Sequence, residues 1–352
     1  MTSPHNQDFE KLLPQLWKGI GLVLILVAIA VTYVATRDQD VPVQDAADST
    51  YTADYFFSAQ ENFWQPVAVD GIQSKEKKEL VAYGKELIAH TSQYLGPNGS
   101  VNQVTNGMNC QNCHLDAGTK VYGNNYGSVA SMYPKFRARS GSVESVFKRV
   151  NDCIERSLNG VALDTTSREM IAIKSYILHV GSNVKKGKKA TGSGFKDLEY
   201  LDRAASPEKG KTVYQNKCQS CHTANGEGLI ANNSKEYTYP PLWGPNSYND
   251  GAGLYRLSNF AKFVKYNMPF GADHEHTQLN NDEAWDVAAY VNSQPRPHKN
   301  VPNDWPDISK KPIDHPYGPY ADSFSEEQHK FGPFRPIATF YDAKSEKKSK
   351  TQ

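Results

Sequence analysis

The 352-residue chain is predicted to be mainly α-helical, with two similar units in tandem and long connecting loops. Three observations carry this. A C-x-x-C-H motif occurs twice, as CQNCH (110–114) and CQSCH (218–222). Each copy lies between an opening helical pattern and a closing one. Strand-like alternation is nearly absent, while 25 Gly and 20 Pro punctuate the connections.

Ahead of the repeat, residues 19–35 (GIGLVLILVAIAVTYVA) are an apolar run whose one ionisable group is Tyr33. Seventeen residues at about 1.5 Å each reach about 25 Å, the short end of a bilayer span. Lys11 and Lys18 precede it and Arg37, Asp38 and Asp40 follow, a weak bias toward a cytoplasmic N-terminus. A cleaved signal peptide is the rival reading, but the run is long for one and no clear A-x-A site follows. The expectation is an inner-membrane anchor in segment 1–37, with the remainder exported to the periplasm. Segment 38–75 is expected to be a polar tether with an aromatic patch (Tyr51, Tyr55, Phe56, Phe57, Phe63, Trp64).

The first unit, 76–190, opens with YGKELI (83–88) and closes with SREMIAIKSYILHVG (167–181), a helix ended by Gly181. The second unit, 191–297, opens with GKTVYQNK (210–217) and closes with NNDEAWDVAAYVNS (280–293). Both closing helices place an acid seven residues before a Tyr and a β-branched residue: Glu169 to Tyr176-Ile177, and Glu283 to Tyr290-Val291. That is an internal repeat of roughly a hundred residues, so the domain count is two. SNVKKGKKATGSG (182–194) reads as a basic linker. Segment 298–352 is Pro-rich and aromatic, expected to pack extended over a domain before a solvated tail, AKSEKKSKTQ.

C-x-x-C-H is the attachment sequence of c-type haem: two thiols reach two vinyl groups, and the adjacent His becomes an iron ligand. A thioredoxin-like pair would need a βαβ context, which is missing. A zinc ribbon would place its C-x-x-C pairs about 15–20 residues apart, far closer than these. Two covalently bound haem c groups are therefore expected, on Cys110 and Cys113 with His114, and on Cys218 and Cys221 with His222. Each unit then reads as a class I cytochrome c-like haem domain. The haems also account for a lean 38% hydrophobic content, since each supplies apolar surface. A net charge of +1 gives no argument for nucleic acid as a partner.

The sixth iron ligand differs between the units. FVKYNMPFG (263–271) offers Met268 just before Pro269, a thioether on a loop ahead of the closing helix; a gap-filling core methionine is the bland alternative. His274 and His276 are expected at the surface, with His276 a weak rival ligand. The first unit has no such loop. Met132 is close to His114 for a chain that must cross a haem, and Met170 belongs to the closing helix. What stands in the right place is Cys153, the odd cysteine of five, and a thiolate ligand would lower the haem potential.

Val143, Val146, Phe147, Val150, Ile154 and Leu158 form an apolar stripe around Cys153 at helical spacing, with Ser142 a candidate N-cap and Asn159-Gly160 a stop. Arg149, Cys153 and Ser157 share one edge of that helix at i, i+4, i+8, and Arg137 and Arg139 arrive from the preceding loop. Guanidinium forks suit tetrahedral oxyanions. A buried free cysteine beside a solvated Arg-rich face is the alternative.

CQNCHLDAGTK (110–120), YPKFRARSG (133–141), RVNDCIERSLNG (149–160), YNMPFG (266–271), AWDVAAYVNSQPRP (284–297) and DHPYGPYADSF (314–324) together resemble the dihaem thiosulfate dehydrogenases, also described as tetrathionate reductases. The resemblance spans about residues 75–335. It implies reversible coupling of two thiosulfates to tetrathionate at a first haem ligated by His114 and Cys153. Arg139, Arg149 and Ser157 would hold substrate. A second haem, on His222 and Met268, would exchange electrons with an external cytochrome c or quinol-linked chain. Some members carry Lys just before that Met; here Asn267 stands there, so permanent His/Met ligation is expected. The rival readings are a non-catalytic, membrane-tethered dihaem electron carrier and a dihaem peroxidase.

Overall fold

The computed structural model describes residues 62–230 and 235–350. The expected anchor at 19–35 and most of the tether lie outside the described residues. Among those described, no helix is long and apolar enough to cross a membrane.

The first unit is built on α1 (Lys75–Ala89) and α3 (Arg168–Val180), with α2 (Val146–Arg156) between them in sequence. Each begins at a serine whose hydroxyl accepts from a first-turn amide: Ser74 from Lys77, Ser145 from Lys148, Ser167 from Met170. These caps occupy otherwise orphaned helix-start donors. α1 and α3 cross at Gly84, where a Cβ would come 2.0 Å from the Ala172 carbonyl oxygen and 2.8 Å from Tyr176 Cβ. The second unit repeats the device with α4 (Pro207–Lys217) and α6 (Asn281–Ser293). There a Cβ on Gly210 would come 1.8 Å from the Asp286 carbonyl oxygen and 2.9 Å from Tyr290 Cβ. Between α4 and α6 comes α5 (Leu257–Asn267).

The repeated acid and tyrosine thus acquire a physical meaning. Tyr176 and Tyr290 pack at the helix crossings. Glu169 accepts from the Tyr83 hydroxyl at 3.0 Å, and Glu283 pairs with Lys217 at 2.8 Å while closing a capping box with Asn280. Two cores result. Leu87, Ile88, Ile154, Met170, Ile173 and Tyr176 centre the first; Tyr214, Leu257, Trp285 and Ala288 centre the second.

Several expectations are corrected. Ser142 is not the cap of the Cys153 helix, because Ser142–Glu144 is strand β2, paired antiparallel with β1 (Lys135–Arg137). Gly141, at φ +63°, allows the intervening turn. Val143 therefore sits on the hairpin, 67% exposed, instead of on the buried stripe. A second short hairpin pairs β3 (Leu229–Ile230) with β4 (Tyr237–Tyr239). His274 is not a surface residue: Phe63 and Tyr122 pack edge-on against its ring at 4.9 and 5.3 Å. The end of the expected tether is anchored, with Trp64 buried and its Nε1 donating to Asn183 Oδ1.

The C-terminal extension runs extended, as expected, then forms α7 (Glu326–Phe331) and α8 (Arg335–Lys350). Phe331, Phe334 and Ile337 join the second core, and α8 continues into the expected tail as far as Lys350. Asp314 is buried, takes two hydrogen bonds from Arg256 (2.9 and 2.6 Å), and accepts from the Ser258 amide at the start of α5.

Candidate active site in the first of two cavities

Each C-x-x-C-H motif opens onto a cavity, of about 300 Å³ in the first unit and about 590 Å³ in the second, both lined mostly by apolar groups. His114 Nδ1 lies 2.6 Å from the Asn124 carbonyl oxygen, and His222 Nδ1 lies 2.8 Å from that of Pro240. In each ring the outer nitrogen is thereby held as a donor, leaving Nε2 free as a ligand. The donor set and the apolar walls fit a covalently attached haem in each cavity.

Cys153 lies on α2, on the wall of the first cavity, within hydrogen-bonding reach of the His114 ring. Burial opposes its ionisation, but Arg149 and His114 outweigh burial and bring the thiol down to about 7. Arg149 is held firmly charged, chiefly by Cys153. Arg139 and Ser157 line the same cavity, so these two join Arg149 and Cys153 there. Arg137, by contrast, turns toward Glu144, at 4.0 Å.

Sequence reasoning missed Arg156. It lines the first cavity and holds Asp304 through two contacts of 2.8 Å each. Its signal was present, seven residues after Arg149 on the same helix, two turns apart on one face. Three guanidiniums therefore crowd one cavity. Arg139 shows the strain electrostatically: burial first, then Arg156 and Arg149, lower it to about 10.

In the second cavity Met268 caps the C-terminus of α5, its amide donating to Val264, and its side chain lines the wall with His222. Asn267 is buried, its amide donating to the carbonyls of Phe263 and Tyr122. The two cavities share lining residues Asn109, Cys113 and Leu254. The second unit also contributes Gly253, Leu254 and Asn259 to the first cavity, a closure that local sequence patterns could not indicate.

Two C-x-x-C-H cavities separated by a shared wall, one of them rich in buried cations, define a dihaem c-type cytochrome with a place for an anionic substrate. Comparison with known proteins agrees. Residues 100–185 match the family model "SoxA/TsdA, cytochrome c domain" and residues 207–295 the model "Cytochrome c". The thiosulfate dehydrogenase of Psychrobacter arcticus is 38% identical over 238 residues, covering 67% of this chain and 69% of that one. That of Stutzerimonas stutzeri is 31% identical over 276 residues, covering 78% and 86%. The as-isolated structure of thiosulfate dehydrogenase (TsdBA) from Marichromatium purpuratum superposes with a TM-score of 0.62 at 30% identity, over 67% of this chain and half of that one. The chain belongs to the thiosulfate dehydrogenase family, and it is an oxidoreductase carrying two covalently bound c-type haems.

Proposed function

We propose that the protein couples two thiosulfate dianions into tetrathionate in the first cavity and also runs the reaction in reverse. The observation that carries this is the placement of Cys153 on the wall of the first cavity together with His114, Arg139, Arg149 and Ser157, a thiol among buried cations. His114 and Cys153 would hold the first haem's iron, and His222 and Met268 that of the second. The haems, when bound, supply one-electron acceptors, two for a two-electron reaction.

Arg139, Arg149 and Ser157 hold the substrate's sulfonate end. Joining two dianions is opposed by charge, and the buried guanidiniums offset that repulsion. The Cys153 thiolate would join the sulfane sulfur of one thiosulfate as Cys153–S–S–SO3⁻, a two-electron oxidation for which the bound haems would supply the acceptors. The sulfane sulfur of a second thiosulfate then attacks the outer disulfide sulfur. Tetrathionate leaves and the Cys153 thiolate returns, so atoms and charge balance. Asn109, Cys113 and Leu254 line both cavities and so keep the two sites adjacent, and an external cytochrome c or quinol-linked chain would be the electron partner.

The apolar run 19–35 supports an inner-membrane anchor with the haem domains on the periplasmic side. The test is turnover by the purified dihaem protein, with thiosulfate and a one-electron acceptor, and with tetrathionate and a reduced viologen. Activity in both directions is the expected result. Absence of both, with two haems in place, would leave a tethered electron carrier as the reading.

A further inference from the structure

Arg156 and Arg139 are held from outside the haem domains. Asp304 belongs to the extension, beyond residue 295 where the second family match ends. Its carboxylate takes both Nη atoms of Arg156 at 2.8 Å and lies 4.0 Å from Arg139 Nε. The Arg156 and Arg139 side chains are only 12% and 15% exposed, and that of Asp304 only 14%. The same segment grips Arg139 a second way: the Trp305 amide donates to the Arg139 carbonyl at 2.6 Å, and the guanidinium lies 5.9 Å from the Trp305 ring centre. Arg156 also donates to the Gly251 carbonyl at 3.4 Å, tying it to the second unit.

Three neighbouring guanidiniums repel one another, and an unpartnered arginine relieves that repulsion by swinging toward water. A bidentate carboxylate opposes the swing, because it fixes both position and orientation of the fork. We propose that Asp304 is a positioning residue, supplied by the C-terminal extension, that keeps Arg156 and Arg139 facing the first cavity and so makes Arg156 a third cationic contact for the dianionic substrate. This rests on the function proposed above, but it makes a separable claim about oxyanion affinity.

Two readouts are needed, both on the haem-loaded full chain. In steady state, Asp304→Ala is expected to raise KM for thiosulfate roughly tenfold while kcat stays within about threefold, as when one charge-assisted contact leaves the cavity. Asp304→Glu should recover much of the affinity. Arg156→Lys, which keeps the charge but cannot form the fork, should resemble Asp304→Ala, and it reads the same contact if Asp304→Ala fails to load haem. The second readout is a titration with sulfite, followed by the haem absorption spectrum without turnover. Weaker sulfite binding in the variants supports the positioning role even if the parent never oxidises thiosulfate. Tighter binding in Asp304→Ala would mean that Asp304 merely screens the cations. That result, or unchanged KM and sulfite affinity in both Asp304→Ala and Arg156→Lys, overturns the proposal.

Discussion

Replacing Gly210 by Ala tests whether the helix crossing, and not the haem alone, organises the second unit. The new Cβ would stand 1.8 Å from the Asp286 carbonyl oxygen and 2.9 Å from Tyr290 Cβ, where ordinary contact starts at 3.4 Å. α4 and α6 must therefore separate by about 1.5 Å, since both offending atoms sit on a fully packed helix. Overpacking of this kind costs about 1–3 kcal/mol or more. The shift also pulls on Asp286, whose carboxylate is held by Arg203 at 2.7 and 2.8 Å and by the Ser206 amide at 2.7 Å. Arg203 is about one-third exposed, so solvent screening leaves roughly 1 kcal/mol for those contacts. Ala recovers about 1 kcal/mol over Gly in a helix. The net is a loss of about 1–3 kcal/mol, large against a marginal total. Guanidinium unfolding of the haem-loaded protein should show a lower midpoint with the same slope. Gly71→Ala, where nothing lies within 4 Å of the new Cβ, is the control. If Gly210→Ala unfolds within about 0.5 kcal/mol of the parent, the close approach does not organise the crossing.

Cys153→Ala should keep both haems, since attachment uses the other four cysteines, yet lose thiosulfate turnover by on the order of a hundredfold; full turnover with both haems retained would remove Cys153 from the mechanism. Arg149→Lys should raise KM roughly tenfold, because a point charge cannot replace the fork, and steady-state kinetics read this directly. Met268→Ala should lower the potential of the second haem, measured by redox titration. Asp314 is held below the ordinary 3.8, with Arg256 and Ser258 overcoming its burial. Its folded value is depressed, so its stabilisation is complete above the unfolded value and drains away as pH falls below about 3.8 toward the lowered value. Asp314→Asn should cost about 3 kcal/mol at pH 7 and flatten the acid limb of a stability–pH curve.

What the sequence made legible was whatever is encoded locally. The two closing helices, the stop of the first at Gly181 and the C-x-x-C-H spacing are each written within a short stretch of sequence, and the structure has helices Arg168–Val180, with Gly181 as C-cap, and Asn281–Ser293. The edge bearing Arg149, Cys153 and Ser157 was legible for the same reason, since helical periodicity fixes it. The start of that helix was misplaced because Ser142 and Ser145 are equally good caps, and the choice falls to a hairpin partner at 135–137. Asp304 was invisible because its meaning lies in a pairing across 148 residues. His274 was read as exposed for a similar reason: its aromatic neighbours, Phe63 and Tyr122, are far away in sequence.

The wall that both cavities share has a consequence for biogenesis. Cys113 is an attachment residue of the first haem, yet it also lines the second cavity, and Leu254 and Asn259 of the second unit help enclose the first. A chain carrying one haem thus presents an unfinished receptacle for the other. Cutting the chain between the units would strip Leu254 and Asn259 from the wall of the first cavity and Cys113 from that of the second, so each receptacle is completed by the other unit.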